Sequence, residues 1–314
     1  MYIKVIIEQM IVLFAMILCG YLLWRKKWID DGMHLQLSKL VVQVFNPLLI
    51  INGVINKTST LGKDALVQNV SLSFFFFIFL IIAGYLIIWL IKPMKNERNM
   101  FILLGTIPNA GFMGIPVITS IYGDESMIYI VFYILICNVI LYTYGMYLVD
   151  HMQEDIKKQK VIKNWRKQLK DFFNFGVIAS IGAIVIFLLQ LKIPQPVANF
   201  CSYMGSATIP LSMILIGISI AKSDLKELLM DKTVYKFLLL RMVIIPIGVI
   251  LLLKQFPIYP IVFGVFALQL AMPTGSIGAL IMKEKGLDEL RCSGIVVVST
   301  LFSLITIPLI SAFL

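Results

Sequence analysis

Pro108 in GTIPNAGFMGIP and Pro273 in LAMPTGSIGALI interrupt two otherwise apolar stretches. Asn109, Ala110 and Gly111 follow the first; Thr274, Gly275 and Ser276 follow the second. A proline inside a helix removes a hydrogen bond and clashes with the preceding turn, at about 3 kcal/mol. Each proline therefore marks a break after which a new half-helix begins. Such a beginning offers N–H groups without acceptors and about half a positive charge, which is an arrangement that binds carboxylates. Small residues let a ligand or an opposing backbone come close, and Asn109, Thr274 and Ser276 can hydrogen-bond it. The same glycines would equally serve two helices that simply cross tightly.

The elements that hold these breaks lie in a membrane. Hydrophobic residues make up 60% of the 314, charged residues 14%, and the mean hydropathy is +0.93, whereas soluble domains carry about 25% charge. Runs near 20 apolar residues place ten spans, at about 5–24, 36–55, 70–91, 100–121, 126–149, 172–190, 197–221, 233–253, 260–282 and 291–313. Inside hydrocarbon a broken helix survives only where protein or a wet cavity satisfies the freed backbone. Matching broken spans in two halves point to a midplane binding site in a transporter.

The halves align along their length. Pro47 in VFNPLL corresponds to Pro210 in ATIPLS, and Pro108 to Pro273, at nearly one offset that also lays span five on span ten. Five spans per half is an odd number, so the second half enters the membrane inverted. The expected organisation is 1–149 as the first repeat, 150–171 as a basic linker and 172–314 as the inverted second repeat. In the linker Val161, Ile162, Trp165, Leu169 and Phe172 recur at helical spacing opposite lysines, which reads as an amphipathic helix on the inner leaflet or as a solvated basic segment.

Most of the 27 Lys and Arg residues fall on the ends joined by the 25–39, 92–98, 157–170, 222–236 and 283–291 segments. Those ends are expected to be cytoplasmic and both termini extracytoplasmic. The net charge of +10 is then an orientation signal, with anionic lipid headgroups as its neighbours, and needs no nucleic acid. Only Lys4 precedes the first span, Arg25, Lys26 and Lys27 follow it, and no A-x-A pattern marks a cleavage site, so it is read as a span and not a signal peptide.

Few polar groups lie within spans. Arg241 sits about 12 Å inside span eight, where it could attract an anion, act as a fixed cation in place of a coupling ion, or snorkel to the inner surface. Asn46 and Thr208, beside Pro47 and Pro210, line the opposite wall or cap local kinks. Glu8 reads as a peripheral, paired or snorkelled carboxylate, and Phe74 to Phe77 as lipid-facing or packed rings. With no other mid-span carboxylate, a proton relay and a carboxylate-built sodium site are missing; sodium could still meet carbonyls and hydroxyls at the breaks, near Asn138, Ser303 or Gln269. Cys19, Cys137, Cys201 and Cys292 lack metal spacing. No Ser/His, His/Asp or HExxH arrangement argues for an intramembrane enzyme.

The NP dipeptide in span two, GTIPNAGFMGIPV in span four, SATIPLSMILIG in span seven and ALQLAMPTGSIGALI in span nine resemble the auxin efflux carrier family in its short bacterial form. The resemblance covers essentially the whole chain. It implies an all-α polytopic membrane protein of ten transmembrane helices, built as two inverted five-helix repeats with crossed, proline-broken helices four and nine. It also implies a fold similar to bile acid symporters, and a secondary transporter of small organic carboxylate anions in the cell (inner) membrane. By the same likeness spans 1, 2, 6 and 7 form a scaffold, dimeric as a homodimer, and spans 3–5 and 8–10 move against it as an elevator. No cofactor is expected beyond a coupling Na+ or H+, and no metal site. Efflux driven by membrane potential is one expectation; a sodium- or proton-coupled importer is the other.

Overall fold

Hydrocarbon offers the backbone no solvent partner, so a chain this apolar closes its hydrogen bonds within helices. The computed structural model describes residues 2–55, 63–157, 173–223, 228, 230–287 and 289–314, and it is all-helical, with no sheet among the described residues. In chain order the helices are α1 (Tyr2–Arg25), α2 (Asp31–Asn52), α3 (Lys63–Ile91), α4a (Arg98–Thr106), α4b (Ala110–Tyr122), α5 (Asp124–Glu154), α6 (Phe175–Leu188), α7 (Gln195–Lys222), α8 (Lys232–Leu253), α9a (Pro260–Ala271), α9b (Ile277–Glu284) and α10 (Glu289–Ser311). Seven of them, α1, α2, α3, α5, α7, α8 and α10, are long and apolar enough to cross a membrane; α4b, α6 and α9a are shorter apolar helices.

Local chemistry explains the boundaries. Asp30 caps α2, accepting from the Met33 N–H at 2.7 Å, so this helix starts at Asp31, five residues before the expected span. Asn174 caps α6 through the N–H groups of Gly176 and Val177. The turns of α5 continue through Lys157, into the segment expected to be linker; residues 158–172, which include the expected amphipathic face, lie outside the described residues. Proline leaves its mark as wide turns: α2, α4b and α8 each contain a π turn (Val41–Phe45, Ala110–Gly114, Leu240–Ile244) just before Pro47, Pro116 or Pro246. A missing N–H leaves an acceptor free, and one extra residue in the turn re-aims the side chains around it.

Packing separates into two groups of helices. The α1–α7 pair is a tight backbone contact: a Cβ on Gly217 would stand 1.9 Å from the Ile17 carbonyl oxygen, and one on Gly20 2.1 Å from that of Ile214. Gly205 brings α7 close to α2 as well, where a Cβ would stand 2.9 Å from the Leu49 backbone, and α6 packs on α2. In the other group Phe76, Phe77, Tyr133 and Phe266 form a cluster with ring centroids 5.0–5.7 Å apart, joining α3, α5 and α9a. Phe74 and Phe75 of the same run face outward, so the aromatic stretch splits between core and lipid.

Apart from an exposed Lys4–Glu8 pair at 3.9 Å near the start of α1, the ion pairs among the described residues gather at the basic ends. Lys222 of α7 pairs with Asp31 of α2, and Lys285 after α9b with Asp150 of α5 at 2.9 Å. Arg291 of α10 pairs with both Glu97, just before α4a, and Asp231, which caps α8 by accepting from the Thr233 N–H. Burial pushes the Asp231 carboxyl upward, but hydrogen bonds from Arg291 and Thr233 and the Arg291 charge outweigh it and hold it below the usual value. A carboxyl depressed on folding contributes stability fully above its unfolded value, about 4, and loses it as pH falls through the folded value. Asp231→Asn keeps the cap, since asparagine and aspartate cap alike. Through the lost Arg291 charge pair it is expected to cost about 1 kcal/mol at neutral pH and to flatten the acid limb of a melting-temperature series, whereas an unchanged limb would show that the pair contributes nothing.

Candidate functional site

Both proline-broken helices separate where the sequence places the breaks. After α4a the chain turns extended at Ile107 (φ −102°, ψ 107°), and after α9a at Met272 (φ −64°, ψ 144°). The two extended pieces meet as an isolated antiparallel bridge between Pro108 and Thr274. The Asn109 N–H donates to the Pro273 carbonyl at 2.8 Å, and the Gly275 N–H to the Ile107 carbonyl at 2.8 Å. Each break thus satisfies backbone groups of the other, which is what buried irregular backbone requires. Position 275 admits only glycine without a shift, because a Cβ there would lie 3.1 Å from the Pro108 oxygen and 3.3 Å from that of Ile107. The Thr274 N–H donates to Ser299 Oγ at 3.2 Å, and the two hydroxyls lie 2.9 Å apart, pinning the second break to α10.

Four half-helix ends converge on this bridge, and one cation decides their balance. Arg241 is 1% exposed, with Nε donating to the Gly105 carbonyl at 2.7 Å and Nη1 to the Leu270 carbonyl at 2.9 Å. Gly105 belongs to the last turn of α4a and Leu270 to that of α9a, so the guanidinium occupies the negative ends of both first halves. The π turn that contains Arg241 aims it there. Two negative ends of about half a charge each, offset by one fixed cation, leave the two positive ends of α4b and α9b uncompensated. Ala110 and Gly111 on one side and Ser276 and Ile277 on the other open those second halves, with no helical acceptor for their N–H groups. A crossing of this kind favours an anion.

Side chains around it are polar and short of protein partners. Asn109 Nδ2, Asn46 Oδ1, Thr208 Oγ1, both polar atoms of Gln269 and Arg241 Nη2 are buried with no hydrogen-bond partner. Left unpaired, each such group costs about 1–3 kcal/mol, so a ligand that pairs them is favoured. Asn46 Oδ1 lies 4.0 Å from where a Gly111 Cβ would sit, and the Gln269 amide 2.9 Å from the corresponding point on Gly114. Helix α7, which carries Thr208, packs on the Ala110–Gly114 turn.

The structure therefore brings Asn109, Ala110, Gly111, Thr274, Gly275 and Ser276 together with Asn46 beside them. Arg241 lies at the opposite, carbonyl side of the crossing. Pro108 and Pro273 form the bridge; Pro47 is buried after the α2 π turn, and Pro210 follows a step in α7 between Ser206 and Thr208. Gln269 entered the sequence reading only as a possible neighbour of sodium, although a lone amide within an apolar span was a usable signal. Ser299 gave none, since its role depends on which face of α10 meets the second break.

The family model for "Membrane transport protein" matches residues 5–311. Two curated archaeal relatives are each described as an uncharacterized transporter. One, from Methanothermobacter thermautotrophicus, is 26% identical over 213 residues, covering 66% of this chain and 65% of its own length. The other, from Methanocaldococcus jannaschii, is 23% identical over 282 residues, 87% of each chain. With the match running nearly end to end and the two broken helices meeting at its centre, the chain belongs to the auxin efflux carrier family of multi-pass membrane transporters.

Proposed function

We propose that the protein moves small organic carboxylate anions across the cell membrane, uncoupled from sodium or protons, with the bridge between the broken helices as the binding site. The observation that carries this is Arg241 on the Gly105 and Leu270 carbonyls. A cation is already resident at the negative helix ends, so the anion finds net positive potential without bringing a partner ion. An inside-negative potential expels an uncompensated anion by about 2.3 kcal/mol per charge per 100 mV, which suits efflux.

The chain reads as ten crossings in two inverted repeats, with the basic ends cytoplasmic. In support, α1 packs on α7 and α6 on α2, the same relation with the halves exchanged. A division into a scaffold of α1, α2, α6 and α7 and a moving body of α3–α5 and α8–α10 is supported by the polar contacts. Lys222–Asp31 joins scaffold helices. The moving body is tied by Asn69 to the Tyr129 carbonyl, Gln68 to Pro257 and Tyr259, Tyr144 to Tyr85, Gln153 to Lys285, and the Arg241, Arg291 and Thr274 contacts already described. Each of these stays within one body, whereas α1 meets α4b and α10 across the boundary, where sliding breaks no named hydrogen bond. A homodimer would use the scaffold's outward apolar face, for which Ile7, Ile11, Leu18 and Leu22 of α1 are exposed at helical spacing.

Purified protein in liposomes, offered labelled mono- and dicarboxylates with potential, sodium and pH gradients imposed separately, tests the proposal. Flux driven by potential alone is the expected result; flux that requires a sodium or proton gradient would replace it with a coupled importer.

A further inference from the structure

Three polar residues on α2, Gln36, Lys39 and Gln43, are all exposed. Their spacing of three and four puts them on one helix face. Shifting by the interval that pairs Pro47 with Pro210 lands on Asn199, Ser202 and Ser206 of α7, which are also polar and also exposed. The first run occupies the half of α2 at the basic ends; the second occupies the half of α7 at the other ends. Each stops at the crossing: the α2 run leads to Asn46 on the same face, whose Oδ1 faces Gly111, and the α7 run ends at Ser206, just before the Thr208–Lys222 part of α7 that packs on the Ala110–Gly114 turn. Gln43 lies about 18 Å along α2 from Asp31 at 1.5 Å per residue, a depth at which an amide turned toward lipid would find nothing to bond.

We infer that the α2 and α7 runs are the two hydrophilic walls along which the anion reaches the crossing, one from each side of the membrane, and that Lys39 makes the α2 side the anion-collecting entrance. The inference rests on the transport reading and deepens it. The two walls match in polarity and differ in charge, because Lys39 stands where α7 has Ser202. Lys222, the basic residue that ends α7, is paired with Asp31, whereas among the described residues no carboxylate pairs with Lys39. One uncompensated ammonium in a wet cleft is worth about 1 kcal/mol to a passing carboxylate at close range, or roughly fivefold in local concentration. The outer wall offers no such bias, so recruitment is asymmetric and favours loading from the basic side.

The test uses single cysteines in the full-length protein with exposed Cys19 replaced by serine; the remaining cysteines are buried. Membrane-impermeant methanethiosulfonates are applied to one face of the membrane at a time. Gln36→Cys, Lys39→Cys and Gln43→Cys should react from the basic side, and Asn199→Cys, Ser202→Cys and Ser206→Cys from the other. At Gln43→Cys, Lys39 should speed an anionic reagent about fivefold and slow a cationic one by about the same factor, and adding Lys39→Gln should abolish both effects. Reaction with only a membrane-permeant maleimide would place the runs against lipid and overturn the inference. So would Gln43→Cys disulfides between copies without impermeant labelling, which would make the face an interface. Accessibility is read without flux, so the expected labelling beside absent carboxylate transport would contradict the transport reading and not the walls.

Discussion

Asn109→Asp should fold normally and transport almost nothing. The substituted side chain has nearly the shape of asparagine, and its carboxylate would sit beside the positive ends of α4b and α9b, where an anion is stabilised. It would thereby take the place the substrate needs. A like charge at that point costs an incoming carboxylate several kcal/mol, so affinity should fall by at least about 100-fold at 1.4 kcal/mol per factor of ten. The melting temperature should hold or rise, because Asn109 Nδ2 has no protein partner to lose. This combination separates a binding role from a structural one: a site that merely let helices cross would show equal losses in stability and flux.

Arg241→Ala is expected to act in the opposite sense, on stability first. Removing the guanidinium strips the Gly105 and Leu270 carbonyls of their donors and leaves two negative helix ends facing each other in a buried space. Hydrogen bonds to a charged group contribute about 1.5–3 kcal/mol each, so a loss of roughly 3–6 kcal/mol would follow if nothing replaced them. Guanidinium or methylguanidinium at millimolar concentration should restore a large part of the melting temperature of the variant and leave the unsubstituted protein unmoved. Arg241→Lys should be intermediate, since a point charge cannot span both carbonyls as the fork does. Absence of any rescue would return Arg241 to a packing role and reopen the question of a coupling ion.

The contrast between these two residues shows what the sequence could disclose. Both breaks were legible because proline and glycine alter the backbone directly, and a broken apolar span has few explanations. The repeat pairs Pro108 with Pro273, but that the two breaks cross was legible only through the family resemblance. What Arg241 does was not legible, because its target is a pair of backbone carbonyls, and carbonyls have no residue type. Its direction also depends on the π turn before Pro246, and apolar periodicity does not register one inserted residue. Ser299 was hidden for a similar reason: hydroxyls in apolar helices commonly bond their own turn, as Ser303 and Thr300 do, and only the fold shows that Ser299 also meets Thr274. Orientation was read from Lys and Arg, which the membrane sorts by charge irrespective of packing. The ion pairs that gather at those ends depend on neighbours far apart in the chain and had to come from the structure.

Thermal stabilisation by carboxylates, measured on the purified protein and on Asn109→Asp side by side without sodium, tests whether the anion sits at the crossing of the broken helices. A ligand that binds only the folded state stabilises by an amount set by its concentration relative to its dissociation constant, about 2.7 kcal/mol at 100-fold excess. At least one mono- or dicarboxylate is expected to raise the melting temperature of the unsubstituted protein and to fail to raise that of Asn109→Asp. Equal stabilisation of both proteins would contradict it, placing the anion somewhere other than the crossing of α4 and α9.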